Sequence, residues 1–481
     1  MNKNTEKRRF MRAREIFKTA FLCLLLISLI LLVTVYIGGS RVYESVSKDG
    51  PGADFDKLWS VQEGTASVGL DGTRLLPDFI GYRQSSSGKN HACAANYDAL
   101  YELYDLTKPC LLELFGRDSV CRKLNSDEGK NRFDAAKRSD EFVYLRYHTP
   151  VLYQLIYAYS ADKLTISEED VARGSTGSIG AYVSELIIIP DKDFAAHRFL
   201  ALTSDSEGNY YEFRPSDHIV ASDFYISKLA GSGVEIAEYS FSFLGDEYFE
   251  SAQPFINEQI EIPDIVSETV DFSDESIRND LLLLFEYNPD KLDGYADSDS
   301  YVYVDLHSQL RLGNEGISFF TYDATDVNTL RGIRIDSLLG YTVSDTSGLF
   351  DKLTAVDNLI RRLGDISPEL IGGEGKLCLG DVYSDGALLV IEYFLTHNGI
   401  RVGDEPYLRA VLTEKTVCEL SVNPIAVYSD VSTTLTLNPA YILHGLDNTG
   451  ALDKTDRADS IRLRYVDTHA QWMLILETKS K

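Results

Sequence analysis

Residues 376–402 read KLCLGDVYSDGALLVIEYFLTHNGIRV. Two turn-forming pairs, Asp385-Gly386 and Asn398-Gly399, cut this stretch into apolar runs of strand length. Such pairs are strong hairpin signals, because the two-residue turns that match strand twist need a positive φ, which Gly and Asn tolerate. The segment therefore reads as an antiparallel meander. Strands do not alternate with helices around it, as the sheet of a nucleotide-binding α/β domain requires.

Towards the carboxyl terminus the same texture continues. YLRAVLTEKTVCELSV (407–422) pairs about Glu414-Lys415, and SIRLRYVDTHAQWMLILET (460–478) forms a further hairpin with Ile461, Leu463 and Tyr465 on one face. Upstream, Leu349, Leu353, Val356, Ile360 and Leu363 recur at helical spacing, and Gly364 stands where a C-cap glycine would. Before that, YVYVDLHSQLRL and GISFFTYDA flank Gly313-Asn314-Glu315, a hairpin signal. A helix capped by Ser273, with Asp274 and Glu275 in its first turn, precedes them and stops at Asn288-Pro289. Residues 271–481 thus read helix, hairpin, helix, meander.

Residues 57–270 read as a mixed unit. Asn96 precedes the helical YDALYELYDL, Pro109 interrupts that pattern, and residues 122–140 are polar, a loop or surface helix. In FVYLRYHTPVLYQLIYAYSA (142–161), alternation of Val143, Leu145 and Tyr147 predicts a strand. Thr149 as cap and Pro150 at the first helical position then predict a helix through Ser160. ELIIIP, HRFLALTSD and NYYEFRP are further strands, the last two joined at Ser206-Glu207-Gly208. The fold class is α+β, antiparallel sheets with packed helices in two or three domains.

The amino terminus differs in kind. Within EKRRFMRAREIFKTAFLCLLLISLILLVTVYIGGS (6–40), residues 19–37 carry no charge. As a helix they cover about 28 Å, close to the hydrocarbon thickness of a bilayer, and exceed the apolar core of a cleavable signal. Leu22 before Cys23 does not fit a lipoprotein cleavage site. Seven basic residues against Glu6 and Glu15 precede the apolar run, which keeps that end cytoplasmic. The expected organisation is a basic tail at 1–18, a membrane helix at 19–38, a stalk at 39–56, and extracytoplasmic units at 57–270 and 271–481.

Charge narrows the function. The chain carries −28 overall, and its positive tail leaves the remainder at −33. A surface of that sign repels nucleic acid, so a DNA or RNA role is excluded. Of the cysteines beyond the helix, Cys93, Cys110 and Cys121 leave room for one bridge, buried thiols being the alternative; Cys378 and Cys418 complete the five.

Motifs for chemistry are lacking. GSTGSIG at 174–180 leads into a strand, whereas a phosphate loop opens a helix. The S-x-x-K matches at Ser45 and Ser86 stand in polar loops without companion motifs. Asp290, Asp293, Asp297 and Asp299 cluster at 288–300, but Pro289 occupies the first ligand position of a calcium loop, and a solvated turn is the simpler reading. The eight histidines, His148 and His397 among them, form no metal-ligand pattern. No catalytic, cofactor-binding or metal-binding residue is assigned.

The architecture resembles the YycH and YycI accessory proteins of the WalK–WalR two-component system of low-GC Gram-positive bacteria. The similarity lies in FVYLRYHTPVLYQLI (142–156), YVYVDLHSQLRLGNEGISFFTYD (301–323), GALLVIEYFLTHNGIRV (386–402) and WMLILE (472–477). It consists of apolar and turn patterns and favours YycH over YycI on length. The resemblance implies a non-enzymatic regulator that associates with a sister protein of this type and with a sensor histidine kinase, adjusting cell-wall metabolism, with the membrane helix taking part. Ala20, Cys23, Ile27 and Thr34 fall near one face of that helix, and small residues there permit close helix approach. Two other classes stay open: an extracytoplasmic module binding wall fragments or peptides, and a wall-modifying enzyme.

Overall fold

The turn at Asn398-Gly399 folds as its residues require, with φ of 51° and 78° and His397 paired to Ile400 across it. The computed structural model describes residues 70–475, apart from 117–118, 162–180, 192–198, 206–207, 216–225, 235–236, 243–251, 293, 323–331, 343–347, 424, 437–459 and 467. The tail, the apolar run and the stalk lie outside these residues, as does the glycine-rich stretch 174–180. Among the described residues no helix is long and apolar enough to cross a bilayer.

The amino-proximal sheet has nine strands. In chain order come a 3₁₀ turn (Gly72–Arg74), β1 (Pro77–Arg83), β2 (Asn90–Cys93), α1 (Tyr97–Phe115), β3 (Val120–Leu124), α2 (Ser126–Lys137), β4 (Phe142–Leu152), α3 (Tyr153–Ala161), β5 (Tyr182–Pro190), β6 (Phe199–Ser204), β7 (Tyr210–Arg214), α4 (Ile226–Ala230), β8 (Ala237–Ser242) and β9 (Gln253–Ile256). The strand order is 3-7-6-5-4-1-2-8-9, antiparallel throughout. Helices α1 and α3 cover one face through Leu103, Leu111 and Phe115, and α2 covers the other through Phe133. Central β4 is consequently buried on both faces from Phe142 to His148.

The carboxy-proximal sheet has twelve strands. After β10 (Gln259–Thr269) and α5 (Glu275–Leu284) come β11 (Gly294–Asp297), β12 (Ser300–Val304), β13 (Ser308–Gly313), β14 (Gly316–Thr321), β15 (Ile333–Arg334), α6 (Ile335–Leu339), α7 (Leu349–Ile366) and a second 3₁₀ turn (Pro368–Ile371). The strands β16 (Lys376–Asp385), β17 (Leu388–His397), β18 (Ile400–Val402), β19 (Leu408–Leu412), β20 (Thr416–Val422), β21 (Ile425–Thr436), β22 (Ser460–Val466) and β23 (His469–Ile475) follow, all but β21 belonging to this sheet. The main path runs 11-12-13-14-20-19-17-18-22-23, with β15 on β20 and β16 on β17, while β10 and β21 form a separate two-stranded ribbon. Among the described residues every pairing between these strands is antiparallel except β18 with β22, which run parallel. The α+β antiparallel reading therefore holds, with that one parallel contact unforeseen.

Several local expectations shift, each for a visible reason. Strand β4 continues through Thr149 and Pro150 instead of yielding to a helix there. A register slip against β5 between Arg146 and Val151 frees Pro150 from the ladder, and α3 starts at Tyr153. Pro109 does not break α1; Asn96 caps the helix, and its buried leucines hold it together past the missing N–H. Helix α7 runs beyond Gly364 to Ile366 and stops before Pro368, which disfavours helical geometry in the preceding residue. Gly364 serves packing instead, since a Cβ there would lie 2.7 Å from Ile371 Cδ1.

Other boundaries move by a residue or two. The stretch 301–312 is two strands because Asp305 Oδ1 accepts from the amides of His307 and Ser308, making a turn. The β16–β17 turn is Gly386-Ala387, with Gly at the position needing positive φ. Asp274 caps α5, and Ser273 hydrogen-bonds to Asp271. The acidic stretch after α5 forms the β11–β12 hairpin, with Asp297 paired to Arg311; Asp293 lies outside the described residues.

One core runs through both sheets. Leu100 of α1 sits on the β17–β18 turn, where a Cβ on Gly399 would come within 2.5 Å of Leu100 Cδ1. Gly399→Val therefore meets a backbone conformation and a contact that both exclude it. It is expected to cost on the order of 2–3 kcal/mol, read as a lowered Tm, whereas Asn398→Gly leaves Tm near wild type. Equal melting of Gly399→Val and wild type would mean α1 is not seated on this turn.

Candidate functional site

Two groups of buried charge stand out, and one of them opens to a cavity. Its frame is the 3₁₀ turn Gly72–Arg74, the second half of α7 and the 3₁₀ turn Pro368–Ile371. The cavity measures about 490 Å³, within the range of small-molecule sites. Thr354, Asp357, Asn358, Arg361 and Asp365 recur along α7 at helical spacing and line one wall, beside the stripe that faces the core. Asp71 and Arg74 line the other.

Asp357 is the innermost charge. Tyr393 of β17 donates to its Oδ1 at 2.9 Å, with the Tyr159 hydroxyl of α3 beyond Tyr393. Arg74 Nε stands 3.9 Å from the same oxygen and 3.5 Å from Asp71 Oδ2, and completes a hydrogen bond with neither. Among the described residues Asp357 Oδ2 and the Tyr159 hydroxyl also complete no hydrogen bond of good geometry, the Asp71 amide and the Tyr393 hydroxyl being the groups they face. Burial outweighs Arg74 and Tyr393 and pushes the Asp357 carboxyl up to about 6.

The second group joins the two sheets. Arg146 Nε of β4 donates to Asp78 Oδ1 of β1 at 3.0 Å. Arg462 of β22 reaches across with Nη1, donating to the carbonyls of Tyr147 and His148 at 2.5 and 2.7 Å, and lies 3.7 Å from Asp78 Oδ2. Burial would raise the Asp78 carboxyl, but Arg146, then Arg462 and His148, hold it far below the usual carboxylate range. The parallel register sets Arg401 of β18 opposite Arg464, two residues from Arg462 on the same face. Among the described residues Arg464 Nε and Nη1 have no acceptor. Burial and the neighbouring Arg464 lower Arg401 to about 9, and burial with Arg462 lowers Arg464 to about 10, so both remain charged at neutral pH. His148 is driven down to about 3, first by burial and then by Arg464, Arg462 and Arg401 against Asp78.

Of the residues singled out from sequence, His148 alone falls in either group. Ala20, Cys23, Ile27 and Thr34 fall outside the described residues. His148 belongs to the joint, whereas His397 is buried with Nε2 3.1 Å from Ser429 Oγ. Cys110, Cys378 and Cys418 are buried, unbridged thiols, each pushed up by burial. Sequence reasoning missed both charge groups. Asp357 adjoins the apolar stripe of α7 and reads as its polar flank. Arg462 and Arg464 alternate with Leu463 and Tyr465 as on a half-exposed strand, yet both faces are buried.

No protein-family model matches the chain, and no curated protein is similar to it. Among solved structures it is similar to YycH from Bacillus subtilis, at 11% identity and a TM-score of 0.50, over 87% of this chain and 99% of that one. The chain has a YycH-like fold.

The two groups carry opposite pH signs. His148 takes a proton near pH 6.5 when unfolded and near 3 when folded, so its contribution to stability is lost as pH falls through that window. Asp357 is protonated first in the folded state, so its burial penalty eases as pH falls from about 6 towards 4. His148→Gln is expected to flatten the acid limb of a stability–pH curve by on the order of 1 kcal/mol per pH unit between pH 6.5 and 5. Parallel curves for variant and wild type would show that His148 does not titrate between the folded and unfolded states in that range.

Proposed function

We propose that this protein is a membrane-anchored, extracytoplasmic accessory regulator of a two-component system. In this reading it contacts a sensor histidine kinase and a sister protein of the YycH/YycI type, and modulates signalling in cell-wall homeostasis. The observation that carries it is the YycH-like fold, matched along 99% of the YycH chain. The basic tail and uncharged run at the amino terminus supply the second support. In a single-pass protein the helix at 19–38 is the segment that reaches a partner's membrane helices, and Ala20, Cys23, Ile27 and Thr34 are its contact face. We assign no catalytic residue.

The cavity beside α7 favours a second reading, an extracytoplasmic module that binds a small ligand. The two readings are compatible, and they part on what the full-length protein captures. Co-purification from membranes tests the first, with residues 19–37 either native or replaced by an unrelated membrane helix. Native protein is expected to bring down a histidine kinase, and the exchanged form to lose it. Equal capture by both would move the contact to the extracytoplasmic region. Capture by neither would overturn the regulatory reading. Ala20→Leu with Cys23→Leu is expected to weaken capture by about tenfold, and undiminished capture would exclude that face.

A further inference from the structure

We propose that the cavity between α7 and the Gly72–Arg74 turn is a binding site for a small zwitterion. The ligand's ammonium group would sit on Asp357 and its carboxylate on Arg361. A free amino acid or a short peptide carrying both termini has this chemistry. The inference is independent of the regulatory reading, since kinase capture neither needs nor excludes it.

Four observations converge on it. The space is present, about 490 Å³ lined chiefly by polar and charged side chains. At its inner end Asp357, nine-tenths buried, presents Oδ2 with no hydrogen bond of good geometry among the described residues, the Asp71 amide acting on its carboxyl only weakly. A buried carboxylate so incompletely paired is costly, and a donor carrying positive charge would offset that cost. Arg74 does not serve: its Nε stops 3.9 Å from the other carboxylate oxygen, and its Nη1 is drawn off to the Leu377 carbonyl at 3.3 Å. At the outer end Arg361 has only a 3.4 Å contact with Asn358 Oδ1 from its own helix. Among the described residues it has no carboxylate partner, and so remains open to an anion.

Charge balance decides the ligand's sign. Asp71, Asp357 and Asp365 against Arg74 and Arg361 leave one negative charge in excess when Asp357 is ionised. A simple anion would meet repulsion at the inner end, and a simple cation would leave Arg361 unmatched. A molecule with both groups satisfies both ends, and the volume admits one to three residues of a peptide.

Binding should depend on pH through Asp357. The charged and titratable groups facing it are Arg74 and Asp71 from the 3₁₀ turn, Tyr393 from β17 and Tyr159 from α3. An ammonium group requires the ionised carboxylate, which is scarce at pH 5 and predominant at pH 7. Apparent affinity is therefore expected to rise roughly tenfold between those pH values, because only the ionised fraction binds.

The test is calorimetric titration of the full-length protein with three probes: glycylglycine, glycinamide, which keeps only the ammonium, and N-acetylglycine, which keeps only the carboxylate. Glycylglycine is expected to bind tightest, with heat that strengthens from pH 5 to 7. Glycinamide should bind about tenfold more weakly, and N-acetylglycine not at all. Arg361→Ala, on the exposed outer end, should reduce glycylglycine to the glycinamide level, and Asp357→Asn should abolish both and the pH dependence. If Asp357→Asn fails to fold, the wild-type pH dependence and Arg361→Ala carry the test. N-acetylglycine binding as well as glycylglycine, pH-independent affinity, or no heat from any probe would each overturn the proposal, the last leaving a cavity that holds water only.

Discussion

Arg462 holds the molecule together at the point where its two sheets meet. Its guanidinium leaves the carboxy-terminal hairpin, donates to two carbonyls of β4 and faces the carboxylate of Asp78. Those carbonyls, of Tyr147 and His148, lie at the register slip in β4, where β5 does not use them in the ladder. The slip that frees Pro150 is therefore the same irregularity that creates acceptors for Arg462. A regular β4 would have neither the proline nor the joint.

Buried charge on this scale is costly, and the arrangement shows how the cost is contained. Asp78 is shared between Arg146 and Arg462, so one carboxylate faces two guanidinium groups, offsets one of their charges and remains ionised at any ordinary pH. Removing it would take from both arginines the carboxylate they share, which is the expensive direction for a buried pair. Lys137, the last residue of α2 and buried against the nine-stranded sheet, follows the same logic, with Glu185 Oε2 at 2.9 Å, the Ala252 carbonyl at 2.7 Å and the rings of Phe133, Tyr144 and Phe241 around it. Arg401 stacks its guanidinium on Phe394 and gives a hydrogen bond to the Asp404 carbonyl. Arg464 is the exception, held in place by strand register with two donors unmet.

Local chemistry was legible where it acts alone. The turns at 398–399 and 414–415, the Asn96 cap and the stripe of α7 follow from side-chain period and φ preference, and each element forms where those predict. Boundaries moved where tertiary packing competes: Pro109 and Gly364 are tolerated inside helices because the faces around them are buried. The charge groups were not legible, because their members come from β1, β4, β18 and β22 in one case, and from a 3₁₀ turn, α3, α7 and β17 in the other. No window of sequence contains either set. An arginine on an alternating strand carries the same local signature whether its face meets water or another sheet.

That distance along the chain gives the cavity its mechanical meaning. Asp71 and Arg74 belong to the segment leading into the nine-stranded sheet, whereas α7 and Tyr393 belong to the twelve-stranded layer. Tyr159, behind Tyr393, comes from the helix that follows β4, the strand whose carbonyls receive Arg462. A molecule held between Asp357 and Arg361 would therefore touch both layers and stabilise their union by the free energy of its binding, in proportion to the logarithm of its concentration above Kd. Losing the proton on Asp357 as pH rises weakens the empty union, and an ammonium group would offset that penalty in the same range. Occupancy and protonation thus act on one carboxylate in opposite senses, and the joint between the sheets is where their balance would be felt.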